Sequence, residues 1–305
     1  MVKKGLVKSV RVNNYVFVLI LSLWGSLYPI SMVYNFRIAQ ITKQPIVENG
    51  KKSSLTTVAL FFDQYRKKHM GIRQNFAGGL GSLIYDYKPY YCRVDAAFSH
   101  IHETVKQETS FSGTETDDIL FTVGRNVLSD EHNVVTLSGL FGIPTHRILR
   151  LEHVDFGYSQ VGLGVQLDGL YKINTINTLV YGGRYIYFIP RYAHNTLNQT
   201  FMFTLGNIGD LLIANKNNWN EHHGIEVGYT MRIRFGAQIN PSLDFITQKA
   251  DYLRSNFYGV YKYRFKINEI PNRCMLNFSY SYDHSPKLFG NKYIITVWAS
   301  WNTSF

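Results

Sequence analysis

The sequence predicts an all-β fold, a transmembrane antiparallel β-barrel of about twelve strands, with about ten as the alternative. Three observations predict it. Long segments alternate apolar and polar residues with a period of two, which is typical of strands. Aromatic residues make up 15% of the chain and charged residues only 17%, whereas soluble domains carry roughly 25% charged residues. Beyond the N-terminal leader, no apolar run is long enough for a transmembrane helix.

The alternation is most regular between Ile225 and Ile239. Every second residue there is apolar, and none of the intervening residues is. A helix would spread these side chains around its circumference, so the segment is predicted to be a strand. At roughly 3.3 Å per residue it spans about 50 Å, which covers about 35 Å when tilted by about 45°. That is long enough to cross a membrane, whereas soluble strands average about five or six residues.

Ten segments of this kind, one of which contains 225–239, are separated by clusters of Asn, Asp, Gly, Pro and charged residues that favour turns. Two more strands are expected between Leu55 and Lys88, where a short amphipathic helix is the alternative for the first part. The ten predicted strands lie at residues 90–101, 118–125, 134–141, 154–167, 178–189, 201–214, 223–239, 252–267, 274–283 and 291–303.

The N-terminus predicts export. Four basic residues precede an apolar stretch from Tyr15 to about Leu27, which is shorter than the roughly 20 residues of a membrane-spanning helix. Residues 1–30 are therefore predicted to be a secretory signal peptide, with an uncleaved anchor as the alternative. Residues 31–75 are expected to be a linker, a plug of the lumen or a first strand. Residues 76–305 are assigned to the barrel.

Several basic residues share the polar faces of the predicted strands. An arginine or lysine on the lipid face costs roughly 2–4 kcal/mol at the membrane centre, so these cations must face the lumen or lie beyond the membrane. They either pair with carboxylates such as Glu226 and Asp283 in a plugged lumen or line a water-filled path that favours anions. Those beyond the membrane would meet lipopolysaccharide phosphates. The predicted lumen cations are Arg184, Arg232, Arg234, Arg254, Lys262, Arg264 and Lys266.

The last strand alternates from Tyr293 to Phe305. It resembles the C-terminal signature of Gram-negative outer-membrane β-barrel proteins, in which a final Phe ends an aromatic and apolar strand. The resemblance implies an outer-membrane location and recognition by the barrel-assembly machinery. Thr303 stands where that family prefers an aromatic or aliphatic residue. Glycine-rich segments 157–169 and 207–212 also look loosely similar to transporter-type barrels. The residues that match the signature are Val297, Ala299, Trp301 and Phe305.

The sequence contains no recognisable catalytic or metal-binding motif. There is no Gly-x-Ser-x-Gly, and His102-Glu103 is not followed by a second histidine at the spacing of a zinc protease. The pairs His100/His102 and His222/His223 supply two ligands where a metal needs three or four. No enzyme activity, cofactor or metal is therefore predicted, although a site assembled from loops stays open.

These features favour a porin or facilitated channel for small polar or anionic solutes. A non-conducting barrel used for structure, adhesion or surface interaction is the alternative, and an outer-membrane enzyme is a more distant one. The expected partners are outer-membrane lipid, lipopolysaccharide, the barrel-assembly machinery and small solutes. The net charge of +11 is spread along strands and not gathered on one helix or arm, which argues against nucleic acid. Cys92 and Cys274 either pair or stay as two thiols.

Overall fold

The computed structural model describes residues 53–67, 72–87, 89–105, 109–116, 118–145, 160–194, 200–204, 206–235, 238–239, 252–284 and 292–304. All regular elements in these ranges are strands. Among the same residues, no helix is long and apolar enough to cross a membrane. The predicted signal peptide and Phe305 lie outside the described residues.

The described residues form sixteen strands. In chain order they are β1 (Ser53–Lys67), β2 (Ile72–Tyr87), β3 (Tyr90–Val105), β4 (Thr109–Thr116), β5 (Ile119–Ser129), β6 (Asn133–Ile143), β7 (Gly162–Lys172), β8 (Asn177–Phe188), β9 (Arg191–His194), β10 (Thr200–Thr204), β11 (Asn207–Asn218), β12 (His223–Phe235), β13 (Gln238–Ile239), β14 (Tyr252–Ile267), β15 (Ile270–His284) and β16 (Lys292–Ser304).

Twelve of these strands pair in a ring, and all the pairs are antiparallel. The order is β1, β2, β3, β5, β6, β7, β8, β11, β12, β14, β15 and β16, and β16 pairs back onto β1. Strand β5 pairs with the first part of β3, residues 90–95, and β4 pairs with the second part, residues 98–105. The two strands therefore lie end to end along the same edge of β3. Strands β9, β10 and β13 form a separate small sheet. The predicted all-β antiparallel fold is therefore confirmed, and the strand pairings described here link twelve strands.

The ring begins at Ser53 and not at residue 76, where the sequence placed the start of the barrel. The segment left open between linker, plug and strand supplies β1 and the first part of β2. Leu55 to Tyr65 pair with β16 on one side and with β2 on the other. Because this segment pairs with a neighbour on both edges, it is a strand. Its short apolar run could not distinguish a strand from a helix in the sequence.

One end of the ring carries the turn at Pro89 and the tight turns 130–132, 173–176, 219–222 and 268–269, together with the start of β1 and the end of β16. We call it the short-turn end. Three of these turns are capped alike, because a side-chain Oδ1 accepts the backbone N–H groups two and three residues ahead at 2.6–2.9 Å. The backbone N–H groups of Asn133 and His132 hold the pKa of Asp130 below its usual value. The caps are Asp130, Asn174 and Asn220.

The outward face of the ring is apolar. Aromatic residues concentrate towards both ends of the strands, as they do at the two interfaces of a membrane barrel. Those at the short-turn end are Tyr85, Tyr87, Tyr90, Tyr171, Tyr261, Tyr263 and Trp301, and those at the other end are Phe141, Tyr185, Tyr187, Phe235 and Tyr280. The exposed side chains between these bands include Leu83, Val123, Leu137, Val165, Leu211, Ile213, Val227, Phe257, Leu276 and Phe278.

Both cysteines are free thiols. Cys92 lies on β3 and Cys274 on β15, and three strands of the ring separate them. Each is exposed or half-buried next to an inward-facing neighbour, so both belong to the outward face. Of the two alternatives that the sequence left open, the structure has the unpaired one.

Candidate functional site: a charged lumen

The inward faces of the ring strands are rich in buried polar and charged side chains. Apolar residues such as Leu120 and Ile208 pack between them. An apolar outer wall around a polar interior reverses the pattern of a soluble domain and is typical of a barrel in a membrane. The buried polar residues include Ser82, Arg93, Asp95, Thr122, Ser138, Gln166, Arg184, Asp210, Glu226, Arg232, Asn256, Lys262, Asn277, Ser279, Ser300 and Asn302.

Asp210 binds two buried arginines from the neighbouring strands. Arg184 donates from Nη2 to Oδ2 at 2.5 Å and from Nε at 2.9 Å. Arg232 donates from Nε to Oδ1 at 2.7 Å and from Nη2 to Oδ2 at 3.1 Å. The three residues stand directly opposite one another on β8, β11 and β12. One carboxylate thus holds two guanidinium groups, which fixes the wall of the lumen on three strands.

This row of charges continues around the ring. Arg254 stands opposite Arg232, and Asp283 occupies the next position on β15. Like charges directly opposite each other repel. Asp210 binds Arg232, which limits that repulsion on one side of the two arginines.

A second group of charges surrounds Glu226, whose side chain is fully buried. Lys262 donates to its Oε2 at 2.5 Å and Tyr258 to its Oε1 at 2.9 Å. Lys216 stands directly opposite Glu226 in the β11–β12 pair. We call Lys216, Lys262, Arg264 and Arg273 the short-turn cation cluster, because they lie near the turns 219–222 and 268–269.

The structure divides the predicted lumen cations among three places. Arg184, Arg232 and Arg254 belong to the row through Asp210, and Arg234 lies half-buried two residues further along β12. Lys262 and Arg264 join the group around Glu226. Lys266 stands apart, because its side chain is 68% exposed beside a turn and 3.9 Å from Glu269.

Sequence reasoning missed three members of these groups, Asp210, Lys216 and Arg273, and also a separate buried ion pair between Asp95 and Arg93. Asp210 lies in a short glycine-containing stretch, and Asp95 pairs at 2.5 Å with Arg93 two residues away on β3. Lys216 and Arg273 fall just outside the predicted strands 201–214 and 274–283, although the same alternation reaches them. Following the period by one more step, from Ala214 to Lys216 and from Met275 back to Arg273, would have found both.

The assembly-signature residues lie on the outward face of β16. Val297 and Ala299 are half-buried, and Trp301 is 43% exposed. The indole Nε1 of Trp301 donates to Asn272 Oδ1 at 3.0 Å, which ties the end of β16 to β15. Phe305 lies outside the described residues, so its role stays a prediction.

The histidines give no metal site within the described residues, where no group of three or more potential ligands occurs. His223 Nδ1 lies 2.6 Å from the hydroxyl of Tyr261, and His222 Nδ1 lies 3.0 Å from the carbonyl oxygen of Arg264. Both rings lie near Tyr263 at the short-turn end. Their contacts are those of an aromatic band at a membrane interface.

Tyr258 depends on a glycine for its position. Ala214, Gly228 and Tyr258 stand opposite one another on β11, β12 and β14, and the tyrosine ring covers Gly228. A Cβ at Gly228 would lie 2.5 Å from the Ala214 Cβ and 2.6 Å from the ring of Tyr258. A methyl group here must therefore displace the ring that donates to Glu226.

We expect Gly228→Ala to destabilise the barrel by about 1–3 kcal/mol, the usual cost of overpacking. Denaturant unfolding in detergent, followed by the loss of heat-modifiable gel migration, measures the change. Gly259→Ala is the matched control on β14, because a Cβ there meets no atom within 4 Å. Equal stability of the two variants would contradict this account of Tyr258.

Comparison with known proteins supports the fold. No protein-family model matches the sequence, and no curated protein is detectably similar to it. Among solved structures, an outer-membrane channel from Pseudomonas putida F1 has a TM-score of 0.66 at 10% identity, covering 85% of this chain and 100% of that one. The translocator domain of the autotransporter NalP from Neisseria meningitidis has a TM-score of 0.50 at 9% identity, covering 88% and 94%. The chain therefore has the fold of Gram-negative outer-membrane β-barrels.

Proposed function

We propose that the protein is an outer-membrane channel that conducts small anionic solutes through its lumen. The excess of inward-facing cations supports this proposal. On β11, β12, β14 and β15, the inward side chains that the structure describes include seven cations and the two carboxylates of Asp210 and Glu226, and Asp283 holds the position opposite Arg254. The cations are Lys216, Arg232, Arg234, Arg254, Lys262, Arg264 and Arg273.

A positive lumen with low-dielectric walls concentrates anions and repels cations. The ion pairs at Asp210 and Glu226 neutralise only part of this charge. In barrels of this fold the short turns face the periplasm and the longer loops face outwards. We therefore place the Asp210 row towards the extracellular side and the short-turn cation cluster near the periplasmic mouth.

Export and assembly complete the proposal. A cleaved signal peptide in residues 1–30 would deliver the chain across the inner membrane. The outward face of β16, with Val297, Ala299 and Trp301, would present the assembly signature together with Phe305. Lipid would then cover the apolar outer wall.

Reversal potentials in planar bilayers test the channel. Across a KCl gradient, we expect the wild-type potential to show a preference for chloride over potassium. Replacing Arg234, Arg254 and Arg264 together with glutamine should move the potential towards the non-selective value, most clearly at low salt where screening is weak. Arg125→Gln is the control, because this exposed arginine lies on the outward face and stacks on Tyr90. An unchanged potential in the triple variant would contradict an anion path along these strands.

A second candidate is a non-conducting structural barrel. It is favoured by the packing of the charged side chains, since Arg93, Asp95, Arg184, Asp210, Glu226 and Lys262 are each at most 5% exposed. Interior ion pairs this enclosed are also what a filled lumen would contain. The absence of any conductance from correctly folded protein would support this candidate over the channel.

A further inference from the structure

We infer that the short-turn cation cluster is a binding site for a small multivalent oxyanion, a solute with two or more negative charges on carboxylate or phosphoryl oxygens. This site adds to the proposed channel function the class of solute that the lumen retains. It rests on the proposed function only because solutes must reach the lumen.

The four cations of the cluster come together from neighbouring strands of one wall. Lys216 lies two residues before the end of β11, and Lys262 and Arg264 follow each other on the inward face of β14. Arg273 stands directly opposite Arg264 in the β14–β15 pair. The charges of Lys262, Arg264 and Arg273 all act on Lys216. The four groups therefore share one field at the short-turn mouth.

Glu226 is the carboxylate that the described contacts place at this cluster, and both of its oxygens are already engaged. Glu226 accepts hydrogen bonds from Lys262 and from Tyr258, one at each oxygen. Lys216 makes no hydrogen bond or ion pair to any described residue, although it stands directly opposite Glu226. Arg264 donates to the neutral Asn218 at 3.0 Å. Lys262 and Glu226 neutralise each other, whereas the charge of Arg264 meets a neutral amide, so the cluster keeps an excess of positive charge.

Such an excess is unfavourable on its own. Like charges facing each other across strands repel, and partly buried charges lose hydration. A chloride ion neutralises one of these charges, whereas an anion with two or three charges neutralises most of them and offers several oxygens to the ammonium and guanidinium donors. Charge-assisted hydrogen bonds of this kind are the stronger ones, so the cluster selects for multivalent oxyanions.

A neutral donor on the same wall adds to the site. Asn277 follows Arg273 and Met275 on the inward face of β15, and its side chain is fully buried. Neither its Nδ2 nor its Oδ1 has a hydrogen-bond partner among the described residues. Buried amides are nearly always hydrogen-bonded, so this one is placed to bind a solute or its hydration water. The strand wall separates all of these groups from lipid, which leaves a solute of the lumen as the ligand.

Lys216 gives the cleanest variant, because its removal leaves no described group without its partner. Lys216→Met keeps most of the apolar stem and removes the charge. Arg264→Gln is the second variant, since glutamine can still donate to Asn218. Each variant is first tested for heat-modifiable migration in detergent. Arg125→Gln, on the outward face, is the matched control for a lost arginine.

Isothermal titration of the refolded full chain with inorganic pyrophosphate, at low ionic strength in neutral detergent, tests the site. We expect saturable binding with one site per chain that weakens as salt is added. Lys216→Met and Arg264→Gln should each weaken it by about tenfold or more, the usual effect of losing one hydrogen bond from a charged group. Arg125→Gln should bind as tightly as the wild type. The absence of saturable binding, or wild-type affinity in both lumen variants, would overturn the site.

Bilayer recordings separate the failure of the site from the failure of the channel. Anion-selective current without pyrophosphate binding would overturn the site and leave the channel. Pyrophosphate binding lost in the lumen variants, from protein that shows no current, would overturn the channel and leave the site. If both hold, pyrophosphate should reduce the chloride current of the wild type and affect Lys216→Met at about tenfold higher concentration.

Discussion

Phe278→Arg is expected to destabilise the barrel by about 2–4 kcal/mol, because it places a charge at the lipid face near the membrane centre. Phe278 lies in the middle of β15, its side chain is 56% exposed, and its neighbours Asn277 and Ser279 point into the lumen. Urea titration of the protein folded into lipid vesicles, followed by heat-modifiable migration, measures the free energy of unfolding. The same substitution on an aqueous surface would change stability by about 0.5 kcal/mol or less.

Ile270→Arg is the matched control for depth. Ile270 begins β15 at the short-turn end and is 39% exposed on the same face as Phe278. The cost of arginine falls to about 0–1 kcal/mol near the interface, so the two variants should differ by about 2 kcal/mol or more. Equal stability of Phe278→Arg and Ile270→Arg would show that the outer wall does not face lipid.

This fold could be predicted from the sequence because lipid and the lumen constrain the two faces of every strand. With lipid outside and a polar lumen inside, each strand must alternate along its length, and that alternation is local in the sequence. Strand β12 shows this, because its apolar residues Val227, Ile233 and Phe235 are exposed while Glu226 and Arg232 are buried. The strand count and the antiparallel order therefore follow from the period and the turns.

Strand boundaries were less predictable. The segment 201–214 reads as one strand, but the structure divides it into β10 and β11. The break includes Gly206, whose φ of 77° is a conformation that glycine adopts readily and other residues rarely. Phe201, Phe203 and Leu205 keep a period of two up to the break, so the pattern before it does not reveal it. Strand β7 likewise extends to Lys172, beyond the predicted end at Leu167.

The candidate site was predictable in its charge but not in its grouping. Whether a side chain points to the lumen or to lipid follows from the alternation within its own strand. Arg232 and Lys262 could therefore be assigned to the interior from the sequence. Which cation meets which carboxylate depends on the register between strands, and register is fixed by pairing over the whole ring. Asp210 illustrates the limit: it joins Arg184, 26 positions earlier, to Arg232, 22 positions later. No spacing within one strand indicates that arrangement.

Asp210→Asn is expected to cost about 3–5 kcal/mol, the typical effect of removing one partner from a buried ion pair. Asp210 is the carboxylate between Arg184 and Arg232, and all three side chains are at most 9% exposed. The neutral amide would leave two guanidinium groups close together without a counter-charge. Urea unfolding in lipid vesicles measures the loss. Asp130→Asn is the control for a carboxylate in an exposed turn, where asparagine caps the backbone equally well.

A compensated variant distinguishes the charge from the packing. Replacing Arg184 and Arg232 with methionine and Asp210 with leucine removes all three charges and keeps similar volumes. Apolar replacement of a buried ionic triad is often neutral or stabilising, so this variant should recover most of the stability lost in Asp210→Asn. Its lumen would carry one positive charge less, which should also lower the preference for chloride. If the triple variant were as unstable as Asp210→Asn, the loss would come from packing and hydrogen-bond geometry, and the orphaned charges would not explain it.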